Sequence, residues 1–424
     1  MLAAKLLSAF LTDASLLLID HKGAEYHCGP KTVKPSIAVR LRNPADRRRF
    51  LLAPRVTFGE GYTAGEIVIE KGSLRDLVAL ISKAHRTWRQ TTPRPLQNLL
   101  RSWSAATNFI HQVNTKARSR RNAQHHYDIK SRVFELFLDP AMQYTCAYFT
   151  EDVLPAAAGP ALQRYFEHRT EDLDTAQRRR MAHMIAKLRL APGMRVLDIG
   201  CGWGGLAIEM ARQCQVEVLG ITLSSEQLAY AEDKARKAGL TSQVRFLLAD
   251  YRDAGGTFDR IVAAGVLEHI GTVYYKTFFL RLKALLAPEG IVLIDAAGRV
   301  DGPGGTDPWL RKHIYPGGYI PALSEVQRAV EASGLETLDV EIMRMHYAFT
   351  VREWERRFMC ARNEISSLMG EEFVRMFQLY LLASEMSFVY GQFANFQLQL
   401  SNSRFAAPVT RDYLSKHEFA GRET

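Results

Sequence analysis

Strand-like and helix-like stretches alternate through the second half of the chain. The stretches between the strand-like runs place apolar residues three and four apart, which is the spacing of an amphipathic helix, and a further helix is predicted over residues 175–188. This alternation predicts an α/β fold, with a doubly wound, mainly parallel, Rossmann-like sheet covered by helices. The short apolar runs predicted as strands are residues 194–199, 216–221, 244–248, 259–264 and 290–295.

The pattern changes near both ends of the chain. Short apolar alternations at residues 36–41 and 66–70 predict a small mixed α/β domain at the N-terminus. Residues 1–19 are largely apolar but are interrupted by Asp13, and they predict an amphipathic helix and not a signal peptide. The stretch from about residue 373 to 400 is rich in Phe and Tyr and predicts a helical end.

The chain has 424 residues, too many for one ordinary core, and these changes in pattern divide it into three parts. Residues 1–82 form the small N-terminal α/β domain, residues 83–124 a basic connector, and residues 125–424 the main domain with C-terminal helical additions. No apolar run reaches the roughly 18 residues of a membrane-spanning helix.

Positive charge is concentrated in the connector. The net charge is +10, and between Lys83 and Tyr127 there are nine Lys or Arg and no Asp or Glu. Such a segment is a solvated linker, or it contacts nucleic acid or an anionic membrane surface. Trp88, Trp103 and Phe109 lie among these charges, which suits a lipid interface. Because no RNA-binding module is recognisable, nucleic acid is the disfavoured partner.

The cysteines and histidines limit the chemistry further. Five cysteines, without a C-x-x-C pair, argue against a disulfide framework or a zinc site and indicate a reducing cytoplasm. His125, His126 and His269 match no metal-ligand spacing, so no metal is predicted.

A glycine-rich loop follows the first predicted parallel strand. Glycines there let the backbone turn tightly and let a ligand approach it. Gly200, Gly202 and Gly205 also satisfy the dinucleotide pattern G-x-G-x-x-G, so a nicotinamide enzyme is an alternative. Asp198 opposes that alternative, because a carboxylate before the first glycine would repel a pyrophosphate. S-adenosylmethionine has a sulfonium, an ammonium and no phosphate, and it fits better.

A series of motifs runs through the main domain: HYDI (126–129), FELFLDP (134–140), YTCAYF (144–149), the glycine loop (196–207), GITLSSEQ (220–227), DYRD (250–253), LEHIG (267–271) and YPGGYIP (315–321). These motifs resemble those of cyclopropane fatty acid synthases, and the resemblance runs in order from about residue 125 to 400. Residues 55–80 resemble the small N-terminal domain of the bacterial phospholipid enzymes, which the mycolic acid enzymes lack. The resemblance therefore favours a phospholipid over a carrier-bound chain as substrate.

The resemblance also implies roles for individual residues. Cys146, Glu268 and Tyr347 match residues around a bound bicarbonate, the proposed general base. The cofactor residues, to which the loop argument adds Asp198, are Gly200, Gly202 and Gly204 along the cofactor, Thr222, Leu223 and Gln227 at its ribose, Asp250 and Tyr251 at its adenine, and Tyr144 and Thr145 at its methionine part.

Asp295 departs from the family pattern. The family's usual His, in a His-Thr-Ile-Gly stretch, is replaced here by Asp295. An anion at this position argues against bicarbonate, because like charges disfavour each other at close range. Asp295 is therefore itself a candidate catalytic residue.

The implied reaction needs a dry site and a base. Attack of an alkene on a sulfonium methyl leaves positive charge on the neighbouring carbon, which water would trap, so the site must be apolar and aromatic. A base then removes a proton, and its position decides the product. The sequence predicts S-adenosylmethionine-dependent methyl transfer to the cis double bond of an unsaturated phospholipid acyl chain, giving cyclopropane. A methyl-branched or methyl-unsaturated product is the alternative, and an RNA methyltransferase is a more remote one.

The same argument predicts where the enzyme works. It is expected in the cytoplasm, peripherally associated with the inner face of the cell membrane through anionic phospholipid. The double-bond position, the headgroup and the oligomeric state, including a homodimer, stay open.

Overall fold

A computed structural model describes residues 2–43, 49–50, 53–93, 129–150 and 171–414, together with positions 95, 97, 112, 114–116, 118, 119 and 121. The chain forms two compact units, each assembled from three segments. The three parts predicted from the sequence, which are divided after residues 82 and 124, are each one continuous stretch of chain. Each of the two units instead combines stretches that are far apart in sequence. The first unit comprises Met1–Thr107, Gly304–Pro316 and Trp354–Gln392, and the second comprises Asn108–Pro303, Gly317–Glu353 and Phe393–Thr424.

The described secondary structure is numbered here in chain order. The strands are β1 Leu16–Ile19, β2 Glu25–Cys28, β3 Ile37–Leu41, β4 Ile67–Lys71, β5 Arg195–Ile199, β6 Glu217–Thr222, β7 Val244–Leu248, β8 Phe258–Ala264, β9 Leu286–Arg299, β10 Glu336–Met343 and β11 Phe393–Ser401. The helices are α1 Leu2–Phe10, α2 Pro54–Ala64, α3 Leu74–Thr91, α4 Ser131–Glu135, α5 Leu173–Leu188, α6 Gly205–Cys214, α7 Ser225–Lys237, α8 Leu267–Ile270, α9 Tyr275–Leu285, α10 Pro308–His313, α11 Leu323–Ser333, α12 His346–Cys360, α13 Arg362–Met369 and α14 Glu371–Val389.

The first unit is built on a four-stranded sheet in the order β2-β1-β3-β4, with β1 and β3 parallel and the outer pairs antiparallel. A capping box between Ser73 and Asp76 begins α3, whose buried Leu77 and Ala84 join the core of this sheet. Helix α14 packs on α2 and α3. These contacts group the late helices with the N-terminal part of the chain.

The helix predicted over residues 1–19 is wrong in its second half. Helix α1 ends at Phe10, and residues 16–19 form the strand β1, which pairs with β2 and β3. Leu16 and Leu18 are buried in the sheet. The apolar run is too short to distinguish a helix from a buried strand, and pairing decides it.

The second unit contains the predicted α/β sheet. Its seven strands lie in the order β10-β11-β9-β8-β5-β6-β7, and β7, β6, β5, β8 and β9 are parallel. Apolar cores line both faces of the sheet, as a doubly wound fold requires. The predicted fold class is confirmed. Strand order reverses between β5 and β8, so their carboxyl ends border the crevice where such sheets bind ligands.

The helical end predicted over residues 373–400 is wrong beyond residue 389. Helix α14 ends at Val389, and β11 then runs antiparallel between β9 and β10. The sequence of β11, FANFQLQLS, alternates strictly from Phe396 onwards, which is the period of a strand. The prediction of a helix relied on the richness of the stretch in Phe and Tyr and overlooked this alternation.

Two features are absent from the residues that the structure describes. In that part of the chain no helix has the length and apolar character needed to cross a membrane. No cluster of His, Cys, Asp and Glu within it has the composition of a metal site.

Candidate active site

The glycine loop between β5 and α6 adopts left-handed backbone. Gly200, Gly202 and Gly204 have φ of +73°, +54° and +79°. A Cβ placed on Gly202 would meet nothing within 4 Å, so this residue borders open space. A Cβ on Gly204 would lie 2.9 Å from the Cβ of Ala231, so there glycine permits close packing. The loop therefore presents bare backbone at Gly202, as a bound ligand requires.

Asp198 is the penultimate residue of β5, next to this loop, and it is buried. Its Oδ2 has no hydrogen-bond partner among the residues that the structure describes. Burial raises the pKa of Asp198 to about 7, against an opposing effect of the Arg180 guanidinium. A buried carboxylate oxygen without a donor is costly. A cationic ligand such as S-adenosylmethionine would supply the donor, so Asp198 and the Gly202 space fit this cofactor.

Thr222 and Gln227 are joined at the end of β6. The Thr222 hydroxyl donates to Oε1 of Gln227 at 2.9 Å, and both residues are buried. Ser224 caps α7 by accepting from the Gln227 backbone N–H. With Oε1 engaged, the Nε2 end of Gln227 is the end that can donate to a ribose. Leu223 is half-buried in the turn between them.

Asp250 follows β7, and the Arg252 guanidinium holds it. Nε of Arg252 donates to Oδ1 at 2.7 Å and one terminal nitrogen donates to Oδ2 at 2.6 Å. Burial raises the pKa of Asp250, but these hydrogen bonds outweigh it and leave the pKa below its usual range. Tyr251 is buried and packs edge-on against Phe278, with ring centroids 5.0 Å apart. An ionised acceptor and an aromatic ring thus lie side by side at this strand end.

Tyr144 and Thr145 belong to the segment after α4. Tyr144 packs edge-on against Phe134, with centroids 5.3 Å apart. The carbonyl of Thr145 accepts a hydrogen bond from Gln177 at 2.8 Å. Its hydroxyl is buried and has no hydrogen-bond partner within the described part of the chain. The Thr145 methyl group lies 3.5 Å from the Cβ position of Gly265, which follows β8.

Glu268 lies in α8, directly after β8. Its Oε1 accepts from the Ala297 backbone N–H at 2.7 Å. Its Oε2 is buried and lacks a hydrogen-bond partner among the described residues, although the residue as a whole is half-buried. Burial raises the pKa of Glu268 to about 7, with a smaller effect in the same direction from Asp295. This carboxylate can therefore hold or release a proton near neutral pH.

Cys146 lies in the segment after α4, and Tyr347 lies in a helix that this segment contacts. Cys146 is fully buried, and burial raises the pKa of its thiol well above the usual value. Tyr347 lies in the first turn of α12. In that helix the Thr350 hydroxyl accepts from the Ala147 N–H at 2.9 Å, and Nδ1 of His346 accepts from the Phe149 N–H at 3.0 Å. These bonds align α12 with the Cys146 segment.

Asp295 lies in β9 and is buried in a polar network. Its Oδ2 accepts from Arg180 at 3.0 Å and from Gln397 at 3.1 Å, and its Oδ1 accepts from Asn395 at 2.7 Å. Both Arg180 and Asp295 are almost fully buried. Each carboxylate oxygen therefore has a fixed donor. Arg180 also donates to Gln143 at 2.9 Å.

Sequence reasoning missed Arg180, Asn395 and Gln397. Arg180 follows two other arginines, and only its helical phase distinguishes it. It lies three and four residues from the buried Gln177 and Met184, on the face of α5 that points inward. Asn395 and Gln397 alternate along β11, whose strand character was itself missed. The helical period of α5 and the strand period of β11 were the signals in the sequence that could have identified these three residues.

The chain is similar to known proteins over most of its length. The model of the mycolic acid cyclopropane synthetase family matches residues 114–398. The chain is 33% identical over 351 residues to a cyclopropane-fatty-acyl-phospholipid synthase of Escherichia coli strain K12, covering 82% of this chain and 84% of that protein. It is 32% identical over 406 residues to a tuberculostearic acid methyltransferase of Mycobacterium tuberculosis, covering 94% and 90%.

A solved structure shows the same likeness. The mycolic acid cyclopropane synthase CmaA1, crystallised with SAH and CTAB, superimposes with a TM-score of 0.58 at 28% identity over 66% of this chain and 97% of that one. The predicted family is thus confirmed by sequence and by fold. With its glycine loop, its buried Asp198 and its half-buried Glu268, the chain belongs to the mycolic acid cyclopropane synthetase family of S-adenosylmethionine-dependent methyltransferases.

Proposed function

We propose that this methyltransferase acts on the cis double bond of an unsaturated phospholipid acyl chain and forms a cyclopropane ring. The observation that carries the proposal is the carboxylate of Glu268. One of its oxygens is fixed by Ala297, the other is buried without a partner among the described residues, and its pKa is raised to about 7. A group of this kind suits the removal of a proton from a methylated chain.

The cofactor residues have distinct tasks in this proposal. S-adenosylmethionine supplies, when bound, a methyl group activated by its sulfonium. Asp198 accepts the cationic end of the cofactor, and the bare backbone at Gly202 lets the cofactor lie against the loop. Gln227 donates to the ribose, while Asp250 and Tyr251 hold the adenine by a hydrogen bond and an aromatic face.

Aromatic side chains keep water from the reacting carbon. Tyr148 stacks between His183 and His346, with centroid distances of 4.4 and 4.9 Å. Phe149 packs edge-on against Phe349 at 5.6 Å. Packed aromatic rings exclude water, which would otherwise trap the positive charge that the reaction develops.

Glu268 is the base in this proposal, and bicarbonate is not needed. Asp295, which stands where the family has His, is held by Arg180, Asn395 and Gln397. Both of its carboxylate oxygens are therefore already engaged by fixed donors. Its charge also disfavours a second anion close by. Asp295 therefore acts as a positioning residue, and Glu268 takes the proton itself.

A methyl-branched or methyl-unsaturated product is the second candidate. The tuberculostearic acid methyltransferase is 32% identical and shares 94% of this chain, a wider coverage than the 82% shared with the phospholipid synthase. A base at Glu268 in place of bicarbonate would change which proton is removed, and so the product.

We also propose that the enzyme binds peripherally to anionic phospholipid at the inner face of the cell membrane. The first unit carries a groove of about 200 Å³ whose lining includes His85, Arg86, Arg89 and Tyr390. Trp88, on the same helix, is 38% exposed. Cationic and aromatic side chains together favour the headgroup region of a membrane.

Mass spectrometry of lipids from cells that express the enzyme tests the proposal. Addition of one carbon and two hydrogens to monounsaturated phospholipids is the expected result, and fragmentation of the acyl chain then distinguishes a ring from a branch. Lipids from cells expressing Glu268→Gln serve as the control. Unchanged lipids with the wild-type enzyme would contradict a phospholipid substrate.

A further inference from the structure

Positions 112, 114, 116 and 119 of the basic connector contact the loops that carry the candidate active-site residues. These loops are residues 250–253, after β7, and residues 265–272, after β8. The described positions 112, 114, 116 and 119 all bind to one or the other. The connector thus contacts the cofactor end of the sheet.

The first contact is made by Arg252. One edge of its guanidinium binds both carboxylate oxygens of Asp250, as described above. Its remaining donors bind the carbonyl of Asn114 at 3.2 Å and the hydroxyl of Ser119 at 3.1 Å. Lys116 also pairs with Asp253. Arg252 therefore joins the adenine-binding carboxylate to the connector in a single planar group.

The second contact is made by the loop after Glu268. Oε1 of Gln112 accepts from the Thr272 backbone N–H at 3.0 Å, and Asn114 donates to the carbonyl of His269. A Cβ on Gly271 would lie 2.3 Å from the Gln112 carbonyl oxygen, so only glycine lets the connector pass this closely. Gln112 and Ser119 are themselves buried.

We propose that Arg252 is a positioning residue that couples cofactor binding to docking of residues 112–119. The inference rests on the proposed placement of the adenine at Asp250 and Tyr251. A ligand that fixes Asp250 also fixes Arg252, and Arg252 then holds the connector in place. By thermodynamic reciprocity, a docked connector raises the affinity for the cofactor by the same factor. Because the connector is basic, its contact with an anionic membrane would change the affinity for the cofactor through Arg252.

Limited trypsin digestion of the full-length enzyme tests the coupling. Cleavage after Arg118 is followed by mass spectrometry with and without saturating S-adenosylhomocysteine, whose binding is measured separately by calorimetry. In the wild type the ligand should slow this cleavage about fivefold or more, within the usual range of coupling. If the wild type binds the ligand and cleavage is unchanged, the coupling is absent, whereas failure to bind would contradict the cofactor site itself.

Arg252→Gln should abolish this protection and weaken ligand binding about tenfold, with little loss of kcat at saturating cofactor. Arg252→Lys restores one donor to Asp250, so it should recover part of the affinity but not the protection. Arg245→Gln removes an exposed charge from β7 and should behave as wild type. Protection that survives in Arg252→Gln would overturn the proposal.

The connector side offers a second variant should Arg252→Gln fail to fold. Gln112→Ala with Asn114→Ala leaves every proposed cofactor residue intact but removes the second contact. Reciprocity predicts a severalfold rise in the KM for S-adenosylmethionine at unchanged kcat. An unchanged KM in this double variant would equally overturn the coupling.

Discussion

The side chain of Glu268 continues the hydrogen-bond ladder between β8 and β9 by binding the backbone N–H of Ala297 at 2.7 Å. β8 ends at Ala264, and Gly265 still donates to the Asp295 carbonyl at 2.8 Å. The Glu268 carboxylate then occupies the place of the next backbone acceptor. Its orientation is therefore set by the backbone of β9, and Oε2 is left for chemistry.

Replacing Glu268 by Gln keeps this shape and removes the charge. Turnover should fall about 10²-fold or more, in the range usual for an acid–base residue. Burial raises the pKa of the wild-type carboxyl to about 7, so the acid form persists to neutral pH and the basic form prevails above it. The kcat/KM of the wild type should accordingly rise with pH through about 7.

A matched control separates this effect from a general loss of charge. Glu289 is exposed near the start of β9, and Glu289→Gln should leave both rate and pH profile unchanged. Full activity in Glu268→Gln would place the base elsewhere.

Gly202→Val tests the cofactor loop. The valine side chain would fill the open space beside the backbone, so S-adenosylmethionine binding measured by calorimetry should be lost. The left-handed φ of +54° adds strain of about 1–2 kcal/mol for any L side chain. Gly239 has a φ of +70° and also faces open space, so Gly239→Val carries the strain without touching the site. Equal binding by both variants would argue against cofactor contact at Gly202.

The parallel strands could be predicted because each is a short apolar run between amphipathic helices. β5 and β7 were placed within a residue of their ends. β9 extends four residues beyond its predicted range at each end: its C-terminal extension pairs with β11, and Leu286 at its start pairs with Phe258 of β8. Where a strand ends depends on partner strands that are distant in sequence, and the periodicity of a segment does not reveal those partners.

The candidate site, like the sheet, could be predicted only in part. Motifs singled out Asp198, Glu268 and Asp250 because each lies within four residues of the end of a predicted strand. The surroundings of Asp295 could not be predicted, since Arg180 lies 115 residues away and Asn395 another hundred in the other direction. A single sequence gives the charge at position 295 but not the guanidinium that neutralises it.

Asp295→Asn should destabilise the second unit. The substitution leaves the buried Arg180 with no anionic partner among the contacts described above, and breaking a buried pair on one side typically costs about 3–5 kcal/mol. Urea unfolding should show this loss. The double variant Arg180→Met with Asp295→Leu removes both charges and should recover much of the stability. If Asp295→Asn is as stable as the wild type but inactive, Asp295 is a catalytic and not a positioning residue.

Bicarbonate dependence provides a separate test of the base. With Glu268 as the base, the wild type should keep its activity in buffer freed of carbon dioxide, and added bicarbonate should not raise it. Asp295→His introduces the residue usual in the family, and in this variant added bicarbonate should increase activity. Slowing of the wild type in carbon-dioxide-free buffer, with recovery on adding bicarbonate, would show that Glu268 only orients the base.

Binding to vesicles should depend on the groove of the first unit. Each cation near an anionic surface contributes about 1 kcal/mol, so Arg86→Gln with Arg89→Gln should weaken binding to phosphatidylglycerol vesicles roughly 10- to 30-fold at low salt. Arg245→Gln with Arg328→Gln removes the same charge from exposed positions of the second unit and should have a smaller effect. Salt should weaken wild-type binding, because screening acts on exposed charges.

Binding is measured by flotation of the protein with the vesicles. If both double variants float equally, net charge, and not this groove, governs the contact. Undiminished binding to neutral phosphatidylcholine vesicles would remove the electrostatic proposal and leave the methyltransferase assignment unchanged.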